Sequence, residues 1–363
     1  MPNIICFDLE GPLSPQDNAY EVMGLVRGGH RLFEVISRYD DILTMEKREN
    51  YEPGDTLSLI VPFLIYHDIG EEDIKKISDK AKIVDGVNYV MERLKELKWD
   101  VYIISTSYEQ HALNIADRIG LSREKVYCTR FSLDHYREEI ERMDTSLIED
   151  VEKDILEDLY FSLDDERKIK NRLDRFFWKD IPKTNLGDIM RGVKVVGGQR
   201  KVDSLHDIAR KTGKNLRDMI VVGDSITDYK MLGEVKARNG ISIVFNGNEY
   251  AIPYANVGLA SIDMRFLLVI ISAYIYKSRN GVIETVKEWE RRHDEFMRIP
   301  EDIPKGLIPD DVREFLMEKK SDEHFLEPYF HYLENVGEEK QKEVLRIHKR
   351  ARSIVRGDAA KLG

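Results

Sequence analysis

The stretch NIICFDLEG, residues 3–11, decides how the rest of the sequence is interpreted. Four apolar residues follow Asn3 without interruption, and Asp8 comes directly after them. A short continuous apolar run is typical of a strand buried on both faces of a parallel sheet. Functional sites of open α/β sheets lie at the carboxyl ends of such strands. We therefore expect Asp8 and Glu10 to lie together at one edge of a parallel sheet.

Three further apolar runs, each a strand candidate, extend this pattern along the chain. They cover residues 101–104, 219–222 and 241–245, the last being a weaker edge candidate. Apolar residues at helical spacing precede two of these runs, at 86–98 and 203–212. Because helices and strands alternate, the sequence predicts an α/β fold with a parallel sheet flanked by helices.

Three segments do not fit this sheet and divide the chain. Residues 14–81 predict a helical cap inserted after the first strand, directly over its end. Residues 133–192 predict a charged helical insertion, which we expect to present a solvated face. Residues 264–363 predict a helical C-terminal extension that prolines interrupt. The predicted core then consists of residues 1–13, 82–132 and 193–263.

The composition excludes several classes of protein. The 363 residues include 42% hydrophobic and 34% charged side chains with a net charge of -11, which argues against a disordered chain and against a nucleic-acid partner. Cys6 and Cys128 are too few for a disulfide framework or a zinc site. The first residues lack a signal-peptide pattern, and the longest apolar stretch, 264–276, is shorter than the ~20 residues of a membrane span. We expect a cytoplasmic protein without a membrane span.

Two pairs of acidic residues follow predicted strands. Asp8 and Glu10 come after the first strand, and Asp224 and Asp228 belong to the segment GDSITD after the 219–222 strand. Clustered carboxylates without a nearby histidine or cysteine suit the hard cation Mg²⁺. One acid of such a group can attack a substrate while another transfers protons.

A hydroxyl group and a lysine between these acid pairs complete a set of groups for phosphoryl transfer. Ser105 follows the 101–104 strand and can hold a phosphate oxygen, and Lys201 supplies a positive charge for the same group. We prefer Ser105 over Thr106 as the phosphate-binding hydroxyl, although either can instead cap the following helix. Lys201 competes for its role with Arg200 and Lys194.

The order of these motifs resembles the haloacid dehalogenase (HAD) superfamily, whose signature is a nucleophilic Asp, a hydroxyl, a Lys and a terminal acid pair. The resemblance covers residues 1 to about 260 and is greatest to the branch of phosphoserine phosphatases and homoserine phosphotransferases. An archaeal subgroup, some of whose members are labelled as an accessory subunit of an energy-converting hydrogenase, is also similar. The matching segments are FDLEGPL (7–13), VYIISTSYEQ (101–110), KVDSLHDIAR (201–210) and VVGDSITDYKML (221–232).

The resemblance implies a role for each acid and for Mg²⁺. Asp8 would be the nucleophile, and Glu10 the acid/base whose backbone carbonyl also binds the metal. Asp224 would be the second carboxylate ligand, and Asp228 would hold a metal-bound water. The family more often has Asp at the position of Glu10, and a Thr at the position of Pro12.

The resemblance also implies the groups that bind the substrate. Ser105 and Lys201 would clamp the phosphate, helped by backbone N–H groups after Ser105. Asp17 stands at the spacing of a cap-entry acid that contacts the substrate, but capping a helix is an equally good interpretation. In the related phosphatases a cap arginine pairs with the carboxylate of phosphoserine. The corresponding segment here, residues 53–66, contains no Arg or Lys; only Arg27, Arg31, Lys47 and Arg48 elsewhere in the cap remain as candidates for that role.

These features predict a Mg²⁺-dependent phosphohydrolase that acts on a small phosphorylated metabolite through an aspartyl-phosphate intermediate. A phosphotransferase using the same intermediate and a non-catalytic accessory subunit of a larger complex are the alternatives, and homo-oligomerisation stays open. We interpret the basic C-terminal stretch as a solvated helix end rather than as a surface for acidic lipid or RNA. Its members are Arg346, Lys349, Arg350, Arg352 and Arg356.

Overall fold

A seven-stranded sheet organises the protein in the computed structural model, which describes residues 3–136 and 145–362. The strand order is β3-β2-β1-β4-β5-β6-β7, in which the first six strands are parallel and β7 is antiparallel to β6. Helices flank the sheet, so the predicted α/β class is confirmed. The strands are β1 Ile4–Phe7, β2 Asp100–Tyr108, β3 Val126–Thr129, β4 Met219–Gly223, β5 Ile241–Phe245, β6 Val257–Ala260 and β7 Tyr329–Tyr332.

The helices fall into the segments that the sequence separates. The first insertion contains α1 Asn18–Met23, α2 Gly29–Met45, α3 Thr56–Leu59, α4 Val61–Tyr66 and α5 Glu71–Asp79. Between β1 and β3 follow α6 Val87–Glu96 and α7 Glu109–Arg118. The second insertion contains α8 Ser146–Glu157, α9 Glu166–Arg175 and α10 Asn185–Gly192. The remaining helices are α11 Gln199–Thr212, α12 Tyr229–Ala237, α13 Leu267–Arg291, α14 His293–Arg298, α15 Asp310–Lys319 and α16 Glu338–Arg356.

The four predicted strands are all present, and three strands were not predicted. The 101–104 run continues as a strand through the hydroxyl motif to Tyr108, because this central strand is buried along nearly its whole length. The missed strands β3, β6 and β7 have only four residues each. Unlike the four-residue run of β1, their sequences VYCT, VGLA and YFHY contain polar residues or a glycine and so are not continuous runs of large apolar side chains.

The two insertions form one cap rather than two separate units. Apolar residues of α2, α4, α8, α9 and α10 belong to a single hydrophobic cluster over the carboxyl end of β1 and β2. Phe63 of the first insertion lies with its ring centroid 5.9 Å from Phe176 and 6.5 Å from Phe177 of the second. The charged side chains of the second insertion, such as Glu149, Asp150 and Lys153, are exposed as expected, while its apolar residues are buried against the first insertion. Residues 137–144 lie outside the described part.

The C-terminal extension is built into the core of the sheet. It supplies β7, which pairs with β6, and α13, whose residues Leu267 to Tyr274 join the main hydrophobic cluster below β1. The expectation of a purely helical extension is thus wrong, because the extension contains β7. Since α13 and β7 pack into the main cluster, no structural boundary separates the extension from the core near residue 263. The strand was missed because its sequence, YFHY, lies in a polar, proline-containing region.

Among the described residues, one helix has the length and composition of a membrane span. Met264–Arg291 contains an 18-residue window with a mean hydropathy of 1.2, of which 56% is buried inside the protein. The helix is longer than the apolar stretch expected from the sequence. Lys277 and Ser278 leave the helical conformation within it. Its buried first half packs against the sheet, as in the core helix of a soluble fold.

Replacing Trp289 tests whether the extension is part of the core. Trp289 is 1% exposed and packs against Phe296 and Phe330, with ring centroids 5.2 and 4.9 Å away. We expect Trp289→Ala to lower the free energy of unfolding by about 3–5 kcal/mol in a single transition monitored by circular dichroism during urea denaturation. Tyr276→Ala, at an exposed position of the same helix, is the control and should change stability little. An unchanged main transition in Trp289→Ala would show that the extension unfolds independently of the sheet.

Candidate active site

A buried lysine lies between two aspartates at the carboxyl ends of β1 and β4. The Nζ atom of Lys201 is 2.8 Å from Oδ1 of Asp8 and 2.7 Å from Oδ1 of Asp228. Asp8 is 4% exposed and Lys201 is fully buried. Burial alone would lower the pKa of Lys201, but Asp228 and Asp8 outweigh this effect and raise it. The lysine is therefore positively charged and holds Asp8 in a fixed position.

The pKa of Asp8 is raised, chiefly by burial and then by the charge of Asp228, while Lys201 opposes both effects. One lysine is thus shared by two carboxylates, so the negative charge of Asp8 is only partly compensated. Because it directly follows β1 and its backbone N–H donates to Val222 of β4, the side chain has a rigid base. A carboxylate whose charge is only partly compensated is stabilised by further positive charge from a ligand.

Asp228 organises the turn after β4 rather than pointing into open space. Its Oδ2 accepts hydrogen bonds from the backbone N–H groups of Asp224 (2.9 Å) and Ser225 (3.2 Å). Its Oδ1 accepts from Lys201, so both oxygens are used. Gly223 makes room for this arrangement, since a Cβ atom there would lie 2.6 Å from the carboxyl carbon of Asp228.

Asp224 is held by two arginines of the C-terminal helix α16. Nη1 of Arg352 contacts Oδ2 of Asp224, and Nη1 of Arg356 lies 3.0 Å from the same oxygen. Arg352, Arg356 and Asp224 are all buried. The expected solvated helix end is therefore wrong for Arg352 and Arg356, although Arg346, Lys349 and Arg350 are exposed as expected.

The acidic residues have the chemistry of a divalent-cation site. Asp8, Asp224 and Asp228 each have a carboxylate oxygen within 4.8 Å of the corresponding oxygens of the other two. Oδ1 of Asp224 is buried and has no hydrogen-bond partner. Gly11, with φ of +104°, lies so close to Asp224 that a Cβ atom would be 2.3 Å from Oδ2. An unpartnered oxygen among hard donors fits Mg²⁺, which the residues Asp8 and Asp224 would hold.

Glu10 borders the same cavity in a state suited to proton transfer. Its Oε1 accepts a hydrogen bond from the backbone N–H of Asn18 at 2.9 Å. Burial, and then the neighbouring Asp17, raise the pKa of Glu10 to about 8, against the opposing effects of Asn18, Ser107 and Arg356. The raised pKa favours the protonated form of Glu10, which is the form that can donate a proton as a general acid must.

The hydroxyl that faces the cavity is that of Thr106 rather than Ser105. Oγ of Ser105 donates to Oγ of Ser107 at 2.9 Å and accepts from its backbone N–H. Oγ1 of Thr106 has no partner, and Thr106 lines the cavity. The turn satisfies the Ser105 hydroxyl internally, and which of the two hydroxyls binds phosphate stays a prediction.

Asp17 caps a helix, and because it also lines the cavity its contact with a substrate stays a prediction. Its Oδ1 accepts from the backbone N–H of Tyr20 at 2.9 Å, at the N-terminus of α1. Of the competing cations, Lys194 is exposed and Arg200 pairs with Asp55 of the cap at 2.6 Å. Lys201 is therefore the cation that meets Asp8.

The cavity lies between the edge of the sheet, the cap and the C-terminus. Its volume is about 70 Å³. The carboxylates Asp8, Glu10, Asp17 and Asp40 line it, and Arg356 is the one basic residue that does so in the described part of the chain. The remaining lining residues are Phe33, Ser37, Gly54, Thr56, Leu57, Thr106, Ser225, Ile226, Thr227 and Leu362.

None of the cap cations considered from the sequence lines this cavity. Arg31 lies over the ring of Tyr160, and Arg48 pairs with Asp174 at 2.8 Å. Arg27 and Lys47 are exposed. The cap itself therefore offers no partner for a substrate carboxylate among its described residues.

The fold of this chain matches a solved structure over its full length. It is similar to the gene product AF1437 from Archaeoglobus fulgidus, with 29% sequence identity and a TM-score of 0.75 over 100% of this chain and 99% of that chain. The alignment therefore includes the cap insertions and the C-terminal extension. No protein-family model and no curated protein matches the sequence.

More distant matches cover about three quarters of the chain or less. A substrate-bound phosphoserine phosphatase aligns at 18% identity and a TM-score of 0.49, over 74% of this chain and 97% of that chain. A HAD family hydrolase, t0658 from Salmonella enterica serovar Typhi, aligns at 13% identity and a TM-score of 0.45, over 69% of this chain and 65% of that chain. Because both scores are below 0.5, we base the function on the site residues.

Sequence reasoning missed several residues of the site. Arg352 and Arg356 lie four residues apart on a polar helix, a spacing that places them on one face. His111 is buried with Nε2 3.9 Å from Glu10, and burial lowers its pKa to about 3. Asp40 enters from α2, where burial raises its pKa to about 7. Only the arginine spacing was visible in the sequence, since the other two contacts depend on tertiary packing.

Proposed function

We propose that this protein is a HAD-type phosphohydrolase that transfers the phosphoryl group of a small phosphorylated metabolite to Asp8 and then to water. The observation that supports it most directly is the buried triad of Asp8, Lys201 and Asp228 beside a cavity that Asp8 and Glu10 line. A purely structural acid would not be placed at a strand end with a raised pKa and a neighbouring proton donor. Magnesium dependence and the nature of the substrate are parts of this proposal.

The first half-reaction follows from the charges around Asp8. A carboxylate oxygen of Asp8 attacks the phosphorus, and the bond from phosphorus to the ester oxygen breaks. Lys201 lies on one side of Asp8 and offsets the repulsion between the carboxylate and the phosphate dianion. The protonated Glu10 donates its proton to the departing oxygen, which leaves as an alcohol. The unpartnered Oγ1 of Thr106 donates to a phosphate oxygen.

The second half-reaction uses the same residues in reverse. Glu10, now a carboxylate, accepts a proton from a water molecule as the water oxygen attacks the phosphorus of the aspartyl phosphate. The bond from phosphorus to Asp8 breaks, and inorganic phosphate and the Asp8 carboxylate are restored. Mg²⁺ held by Asp8 and Asp224 would supply the positive charge that stabilises the phosphoryl group in both halves.

Replacing the nucleophile is the most direct test. Asp8→Asn should lower the rate of phosphate-ester hydrolysis by at least about a thousandfold, because an amide cannot form an acyl phosphate. The fold should persist, since the side-chain volume is kept. Hydrolysis of a panel of phosphorylated metabolites with and without Mg²⁺ measures this, and Asp294→Asn, at a fully exposed position, is the control.

Fluoroberyllate provides a second measurement on the unmutated protein. It mimics an aspartyl phosphate and should bind with Mg²⁺ to the unmutated protein but not to Asp8→Asn. A protein that neither hydrolyses any phosphate ester nor binds fluoroberyllate would instead fit the non-catalytic accessory subunit. Transfer to an added alcohol in place of water would identify a phosphotransferase.

The role of Glu10 predicts a dependence on the leaving group. Glu10→Gln should reduce single-turnover phosphorylation of Asp8 by about 10²–10⁴-fold with alkyl phosphates, because their alcohols are poor leaving groups. An activated aryl phosphate needs no proton and should lose much less. The acyl phosphate formed from it should then accumulate, since the attacking water lacks its base. Equal losses on both esters would remove Glu10 from the leaving-group role.

The charges in the cavity predict which substrates are disfavoured. Four carboxyl groups line the cavity, and Arg356 is already paired with Asp224. An unpaired buried carboxylate costs several kcal/mol, so phosphoserine should not be the best substrate. Specificity constants for phosphoserine, phosphohomoserine, sugar phosphates and phosphate esters of uncharged alkyl alcohols measure this. Phosphoserine in first place would contradict the prediction.

A further inference from the structure

The last helix reaches the acidic cluster and ties it to the C-terminus. Besides Asp224, Arg352 donates from Nε to the carbonyl of Ala360 at 3.0 Å and from Nη2 to that of Leu362 at 2.9 Å. Arg356 donates from Nε to the carbonyl of Pro15 at 3.2 Å, at the entry to the cap. All three nitrogens of Arg352, and Nε and Nη1 of Arg356, thus donate to fixed acceptors, which is how a buried arginine avoids a large desolvation cost.

The C-terminal segment also attaches to the cap. Ala359 and Leu362 are buried in the hydrophobic cluster of the cap, and Lys361 pairs with Glu34 of α2 at 2.8 Å. Leu362 lines the catalytic cavity together with Arg356. Residues 352–362, which we call the C-terminal strap, therefore connect the sheet, the cap and the cavity.

The charge of the strap matches what the acidic cluster lacks. Asp8, Asp224 and Asp228 carry three formal negative charges, and Lys201 carries one positive charge, which leaves two negative charges uncompensated. Arg352 and Arg356 add two positive charges at the same carboxylate, Asp224. A divalent cation would bring the same charge to the same place. With the strap docked, the cluster is formally neutral, so its attraction for a divalent cation is weak.

We propose that Arg352 and Arg356 set the divalent-cation affinity of this site, because the docked arginine pair and a bound cation compete for the charge of Asp224. This inference rests on the proposed function for its significance, since the cation belongs to that reaction. Cation binding weakens docking of the strap, and docking of the strap weakens cation binding by the same factor. The C-terminal extension is then the element that keeps the acidic cluster neutral when no cation is bound.

Calorimetric titration of the full-length protein with Mg²⁺, at fixed ionic strength and without substrate, tests the competition. Arg356→Gln removes one charge and keeps Arg352 as the anchor of the strap. It should bind Mg²⁺ at least about tenfold more tightly, since the variant lacks the positive charge that lies 3.0 Å from Oδ2 of Asp224. Arg356→Lys keeps the charge and should bind nearly as the unmutated protein does. Arg350→Gln, exposed on the same helix, is the second control.

Hydrogen exchange on the unmutated protein gives a readout that needs no mutation. Saturating Mg²⁺ should speed amide exchange in α16 and residues 357–362 by at least about threefold relative to the sheet, because docking and cation binding oppose each other. Helix α6 contributes no residue to the cavity or to the strap, so its amide exchange should not change with Mg²⁺.

Each outcome decides the proposal. Equal or weaker Mg²⁺ binding by Arg356→Gln, or slower exchange of the strap with Mg²⁺, would overturn it and would instead make the arginines supports of the ligand Asp224. Absence of Mg²⁺ binding in both the unmutated protein and Arg356→Gln would also overturn it. Neither measurement uses a phosphate ester, so failure to find any hydrolysed substrate would count against the proposed function alone.

Discussion

The site depends on one buried cation that is shared by two carboxylates. Lys201 lies between Asp8 and Asp228 with no solvent contact, and each of these ions would cost several kcal/mol if it were left unpaired. Such a group is stable only when its members are held at fixed distances. The parallel pairing of β1 with β4 supplies this rigidity, because it brings Asp8 and the turn that holds Asp228 to one edge of the sheet.

The position of this group also explains why the chain needs so much structure around it. A lysine and carboxylates in water would be screened and would bind a ligand weakly, so the cap and the C-terminal strap must exclude solvent. The two insertions achieve this with a shared apolar cluster, and the strap closes the remaining side with Leu362. The extension in turn is anchored by β7, which adds to the sheet beyond β6.

The sequence predicted those parts of the fold and site that depend on local pattern. Four strands, the α/β class and the acids at strand ends follow from apolar runs and from the polar residues that end them. The strand β7 and the shared core of the cap could not be predicted, since each depends on which distant segments pack together. The choice between Ser105 and Thr106 also depended on tertiary structure, because it turns on the rotamer of a hydroxyl within a turn.

The burial of Arg352 and Arg356 follows from the charges of the acidic cluster rather than from the pattern of their own helix. Helical position alone places these residues on the same polar helix as the exposed Arg346 and Arg350. Three acids with a single lysine, however, require two further positive charges if all are buried. A protein satisfies this requirement with a bound cation or with its own side chains, and here the C-terminal helix brings both arginines to Asp224. The acidic cluster and the last helix are thus one electrostatic unit, although more than a hundred residues separate them in the chain.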